Sequence, residues 1–268
     1  MLKLVVHSNK GGPGKSTIAS SLAVCLSLAG KRVGIIDMDL SGPGLHVIFG
    51  LTTKDLKYTL SDVLQKKCTP RQATVDLTSR LGIKKGRLVF VPGAYKTESI
   101  VSLMRKGYEL ATLRKAINEV VSAHTLDYLI VDIRPGIDES TMLAIGLCDA
   151  MILVTRVDRQ FMLGTEVTLE VARAFKKQVL LVVNMIPPGV EKKKLEKTFA
   201  SMFHVSIAAE MPYYTDVHKN LSTGVFVLKR PEHEFTSKIR SLTSQVMELK
   251  PRPETTERMY ASAPLAIT

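Results

Sequence analysis

The chain has 268 residues, 45% of them hydrophobic and 23% charged, a balance that excludes a mainly disordered protein. Thirty-seven lysines and arginines against 25 acids leave a net charge of +12, and no apolar run reaches the roughly 20 residues of a membrane-spanning helix. Cys25, Cys68 and Cys148 are odd in number and far apart, which fits neither a disulfide framework nor a paired-cysteine metal site. With a glycine-rich turn following the first apolar stretch at once, no cleavable signal is expected and the expected location is cytoplasmic.

Apolar, β-branched runs alternate with longer amphipathic stretches along the chain. Their spacing predicts strands at 2–7, 32–37, 87–91, 127–132, 150–155, 178–183 and 205–208. Helices are predicted at 16–29, 109–123, 159–176 and 190–201, and a last one at 232–249 carries Phe235, Ile239, Leu242, Val246 and Leu249 on one face. Near-continuous apolar strands separated by helices point to an α/β fold, a doubly wound, mostly parallel sheet with helices on both faces. No repeat or long linker divides residues 1–250, which read as one domain. Residues 251–268, with three prolines and two charges of each sign, read as a disordered tail.

The strongest local signal is Lys10-Gly11-Gly12-Pro13-Gly14-Lys15-Ser16-Thr17, directly after the first strand and opening a helix. That is the setting of a phosphate-binding loop, in which glycines let successive N–H groups curl round phosphate oxygens at a helix N-terminus. Lys15 is placed to reach the β- and γ-phosphates of a nucleotide, and Ser16 to offer its hydroxyl to Mg²⁺. The strict pattern begins with glycine; here Asn9 stands in that position. Asp37, Asp39 and Asp132 all end apolar strands, at the carboxyl edge where open α/β sheets bind ligands; the same position also suits a carboxylate that caps the next helix.

With its second lysine, Lys10, the loop is a deviant Walker A motif, and the chain resembles the ParA/MinD family of P-loop ATPases. Ile35 to Asp39 is similar to that family's first switch, Asp127 to Gly136 to its Walker B strand and second switch. Val182-Val183-Asn184 and Glu210-Met211-Pro212 are similar to its adenine-flanking segments. The resemblance covers roughly residues 1–245 and implies the following roles. Lys10 reaches across an ATP-bound homodimer to the partner's phosphates, Thr17 contacts the α-phosphate, and Asp39 orients the attacking water. Asp132 holds Mg²⁺ through water, so the expected metal set is Ser16, Asp39 and Asp132. Gly136 lies near the γ-phosphate, and Asn184 reads the adenine unless it is an ordinary turn residue.

Pro13 stands where that family usually has valine. Without an N–H it either removes one donor from the phosphate cradle or pre-organises the loop through its fixed φ. Arg134 stands where proline is common, free to meet phosphate, a partner subunit or solvent. The resemblance implies ATP and Mg²⁺ as cofactors, ATP-dependent dimerisation, slow hydrolysis and an activating protein partner. Residues 54–115 carry 14 basic and 5 acidic side chains, a field suited to nonspecific DNA binding, or else simply a solvated surface. DNA partitioning with nucleoid association is therefore one expected role. The alternatives are a MinD-like positioning ATPase and a nucleotide-reading adaptor with little turnover. Membrane binding is not expected, because residues 251–268 are proline-broken and neutral rather than a basic amphipathic helix.

Overall fold

The computed structural model describes residues 1–251, and among them eight strands form one sheet. The strands are β1 (Leu2–His7), β2 (Arg32–Met38), β3 (Val75–Asp76), β4 (Arg87–Val91), β5 (Tyr128–Ile133), β6 (Ala150–Thr155), β7 (Gln178–Ile186) and β8 (Ile207–Pro212). Their spatial order is β3-β4-β2-β5-β1-β6-β7-β8, parallel throughout except for the two-residue edge strand β3. β1 pairs with β5 on one side (Val6 opposite Asp132) and with β6 on the other (His7 opposite Leu153). The chain leaves β1 and returns in β2 two positions away, with β5 between them. The crevice for a ligand therefore opens at the carboxyl ends of β1, β2 and β5.

The helices are α1 (Lys15–Leu28), α2 (Leu45–Ile48), α3 (Leu60–Leu64), α4 (Thr97–Lys106), α5 (Leu110–His124), α6 (Glu139–Leu147), α7 (Arg159–Ala174), α8 (Lys192–Phe203), α9 (Thr215–Lys219), α10 (Phe226–Lys229) and α11 (Glu234–Glu248). The period-two alternation of the strands sends side chains into two cores. Leu4, Val6, Val33, Ile35 and Ile130 meet α1, α10 and α11, while Val5, Ile36, Leu129 and Val131 meet α5, α6, α7 and α8. α1 is apolar around most of its circumference because it is sandwiched between the sheet and α11. Its buried Ser20 and Ser27 donate to the carbonyls of Ser16 and Ala23, so neither hydroxyl is left unpaired. On α11, Phe235, Ile239, Leu242 and Val246 form the docked face, and His233 caps the first turn by accepting from Phe235 N.

Several boundaries differ from the sequence expectation, each for a physical reason. The strand expected at 178–183 runs on to Ile186 across a bulge at Met185, whose φ is 54°. Asn184 is accordingly a strand residue and not a turn. The strand expected at 205–208 is displaced to Ile207–Pro212, because His204 takes a left-handed conformation to end α8 and the chain must first turn. Pro212 is tolerated there because β8 is an edge strand. α6 escaped the periodicity reading since its sequence, ESTMLAIGL, is evenly apolar; Asp138 starts it by accepting from Thr141 N. α4 and the short α2, α3, α9 and α10 were likewise not anticipated. The expected disordered tail at 251–268 lies outside the described residues beyond Pro251.

The second core has an aromatic anchor in Phe199, fully buried with its ring 5.3 Å from that of Phe203. Phe199→Ala is expected to lower stability by about 3–5 kcal/mol, read as a shifted urea midpoint at unchanged slope.

Candidate nucleotide site

The chain leaves β1 at His7 and reaches α1 through the loop Ser8 to Gly14. Gly14 is the helix N-cap and takes a left-handed conformation (φ 87°), and Gly12 is also left-handed with open space where a side chain would stand. No side chain caps α1 and its first turn carries no acid, so its N–H groups and positive dipole end remain directed at a ligand. Pro13 is buried, and its carbonyl accepts from Asn184 Nδ2 at 2.7 Å. Asn184 also crowds Gly14: a Cβ there would lie 2.6 Å from that same nitrogen. Asn184 thus straps the loop from β7.

At the helix start Lys15 Nζ meets Asp132 Oδ1 at 2.6 Å, with side chains only 8% and 1% exposed. Burial raises the Asp132 carboxyl, while the Lys15 ammonium and the Ser16 hydroxyl pull it back down. Asp39, half-buried just past β2, adds repulsion to Asp132 and accepts from Ser41 Oγ and Gly42 N. Asp37 is different: it accepts from the backbone N–H groups of Asp39, Gly44 and Leu45 and fixes the loop after β2. Burial and then Asp132 push its carboxyl up to about 7, against the Leu45 and Asp39 N–H donors and the Lys15 charge. The structure therefore brings Lys15, Ser16, Asp39 and Asp132 to one point.

Gly136, with φ 86°, donates its N–H to Ser8 O and so ties the segment after β5 to the phosphate loop. Arg134 pairs with Asp138 at 3.1 Å, inside its own chain. Lys10 is exposed, and its Nζ donates to Gln160 Oε1 at 2.6 Å. Beside the loop lies a cleft of about 280 Å³ lined by Thr17, Asn184, Met185, Pro212 and Tyr213 among others.

A family model described as "ParA: NUBPL iron-transfer P-loop NTPase" matches residues 2–247. The chain belongs to the ParA family of P-loop NTPases. An uncharacterized ATP-binding protein of Methanocaldococcus jannaschii is 26% identical over 254 residues, spanning 93% of this chain and 89% of the relative. The septum site-determining protein MinD of Thermotoga maritima is 24% identical over 249 residues, 91% of this chain and 87% of its own. Among solved structures, MinD of Pyrococcus horikoshii complexed with Mg-ADP superposes with a TM-score of 0.76 at 21% identity, covering 92% of this chain and 96% of that one. That likeness shows the fold, a mostly parallel sheet of the MinD/ParA P-loop type.

The family description names iron transfer, and the three cysteines of this chain lie apart. Cys25 faces the α1–α11 core, whereas Cys68 and Cys148 face the opposite one. Burial pushes the Cys25 and Cys68 thiols up to about 11 and that of Cys148 to about 12. Among the described residues no group of three or more His, Cys, Asp or Glu side chains is arranged to hold a metal ion. No helix among them is long and apolar enough to cross a membrane.

Asp37, which the sequence leaves as either a site carboxylate or a cap at a strand end, holds the loop after β2. Three contributors to this ParA-type site carry no motif. Two are Gln160 and Gly164 of α7, which touch the loop; an isolated glycine inside a helical pattern is the available signal. The third is His7. It is fully buried at the loop entrance, and neither ring nitrogen has a hydrogen-bond partner among the described residues. Burial, and then the Lys15 charge, hold its pKa down at about 4. A histidine kept neutral in the native state costs stability once the unfolded chain can protonate, that is, as pH falls below about 6.5 towards the native value. His7→Leu is expected to lose less stability than the unsubstituted protein between about pH 7 and pH 5, by roughly 2 kcal/mol in paired denaturation curves.

Proposed function

We propose that this chain is a switch ATPase that binds Mg-ATP, dimerises with it bound and hydrolyses it slowly, residues 1–250 acting as one ATPase domain. The observation that carries this reading is the buried Lys15–Asp132 pair at the start of α1, set beneath a loop whose glycines open towards the same point. A lysine in that place exchanges its carboxylate partner for phosphate oxygens at little electrostatic cost. In this reading Gly11, Gly12, Pro13 and Gly14 cradle the phosphates with Lys15, Ser16 and Thr17. Ser16, Asp39 and Asp132 offer a hydroxyl and two carboxylates, hard oxygen donors of the kind Mg²⁺ takes. The ion would neutralise charge across the β- and γ-phosphates. Asp39 orients the attacking water, Gly136 lies beside the terminal phosphate, and Asn184 and Pro212 hold the adenine in the adjoining cleft.

Lys10 is exposed and, among the described residues, its ammonium donates to Gln160, a surface hydrogen bond it can trade for a partner subunit's phosphates. Catalysis of this kind is positional and electrostatic, and loss of the γ-phosphate releases the dimer. Lys15→Ala is expected to abolish binding of a nonhydrolysable ATP analogue. Lys10→Ala is expected to bind it and remain monomeric in analytical ultracentrifugation. Asp39→Ala should keep the dimer while phosphate release falls by at least about 10²-fold. Nucleotide binding with no measurable release in the unsubstituted protein would favour an adaptor over an enzyme.

The role assigned to the switch is DNA partitioning or intracellular positioning, with nonspecific DNA binding and an activating protein partner. The net charge of +12 supports the DNA contact, and the charge map narrows it. Within 54–115, Lys66, Arg80, Arg87 and Lys115 are already paired with Glu109, Asp55, Asp76 and Glu119. Lys84 and Lys85 are exposed just before β4, at the sheet edge opposite the phosphate loop. A DNA surface there stays accessible when two nucleotide faces meet. Replacing Lys84 and Lys85 with glutamine is expected to flatten the log–log salt dependence of DNA binding by roughly 2 units, from about 0.9 per phosphate contact. An unchanged slope removes this surface from the reading.

A further inference from the structure

Asn9 occupies the first position of the phosphate loop, where the strict motif has glycine, and its side chain has to go somewhere. It lies against α7 at Gly164, which is buried. A Cβ at position 164 would fall 2.6 Å from Asn9 Cβ and closer still to the Asn9 amide. Rotation of the Asn9 side chain does not relieve this, because Cβ is fixed by the backbone that carries it. Gly164 is in the middle of a regular helix, where alanine is the better helix former, so its own backbone gives no reason for glycine.

Neither side is free to back away. The N-terminal part of α7 is bound to the sheet by the buried Thr155–Thr165 hydroxyl pair at 2.6 Å, and capped by Asp158, which accepts from Phe161 N. The loop is held by Ser8 Oγ donating to Lys10 O and by Gly136 N donating to Ser8 O. One turn before Gly164, Gln160 takes the hydrogen bond of Lys10.

We propose that Gly164 is a positioning residue of the nucleotide site: the notch it leaves in α7 seats Asn9 and so sets the phosphate loop. α7 is then a second wall of the site, supplied from a helix about 150 residues beyond the loop in sequence. The inference rests on the nucleotide-binding reading above for its effect on affinity, while the packing it invokes does not.

The test is a double-mutant cycle with Gly164→Ala, Asn9→Gly and the pair, measured with a nonhydrolysable ATP analogue and Mg²⁺. Gly164→Ala is expected to weaken analogue binding at least tenfold. Made in the Asn9→Gly background, the same change is expected to cost less than twofold, because the three nearest atoms it would strike, all of the Asn9 side chain, are gone. Equal losses in both backgrounds would overturn the proposal. A general packing defect would instead lower Tm alike in both. If Gly164→Ala alone does not fold, folding of the double variant with analogue binding near that of Asn9→Gly supports the proposal, and failure of both overturns it. Amide hydrogen exchange across the loop separates this inference from the functional reading. Exchange at least tenfold faster in Gly164→Ala and restored by Asn9→Gly upholds the seat even if no variant binds nucleotide, and unchanged exchange overturns it. Absence of analogue binding in the unsubstituted protein would overturn the nucleotide reading instead.

Discussion

An ammonium and a carboxylate buried 2.6 Å apart at the carboxyl edge of the sheet, Lys15 with Asp132, set the terms for everything around them. Each charge costs several kcal/mol to remove from water, and only the other, with surrounding dipoles, offsets it. β1 and β5 must therefore be neighbours, since the loop that delivers Lys15 follows one and Asp132 ends the other. Asp37 is buried beside them on β2. Its carboxyl is pushed up to about 7 by burial and the Asp132 charge, and is held by backbone donors from the loop that carries Asp39. A charge gained or lost at this point bears directly on the loop after β2.

The phosphate loop is held from three directions. Asn184 reaches from β7 to the Pro13 carbonyl, Gly136 donates to Ser8 O from the segment after β5, and α7 receives Asn9 and Lys10. This arrangement bears on Pro13, which has no N–H to offer. The same residue offers a carbonyl to Asn184, so its place in the loop is fixed by packing as well as by its own ring.

Charge has two distinct jobs in this chain. Near the site it is buried, paired and directed. Elsewhere it is exposed, and several of the cations that looked like a continuous field in the sequence are neutralised locally, as Arg87 is by Asp76 and Arg80 by Asp55. Exposed pairs of this kind contribute little to stability, but they subtract from the potential that a polyanion meets.

The sequence by itself determined the parallel α/β fold, the family, and the position of the phosphate loop. Period-two strands, period-3.6 helices and a run of glycines between lysines are local signals that survive without tertiary context. It also carried the last helix, whose apolar spacing gives Phe235, Ile239, Leu242, Val246 and Leu249 as the docked face; the first four are buried on α11, and Leu249, the extended C-cap, packs half-buried against the same core. What it did not carry were the boundaries decided by backbone exceptions, such as the left-handed His204 that displaces β8 and the bulge that keeps Asn184 in β7. Nor did it carry the partners of charged groups. Lys10 with Gln160, Lys15 with Asp132 and the buried His7 are matters of which strands and helices end side by side. Gly164 makes the point most sharply: its own helix has no need of glycine, and only the packed loop gives the reason. Local propensity is written in neighbouring residues, whereas desolvation and steric exclusion are set by atoms far away along the chain.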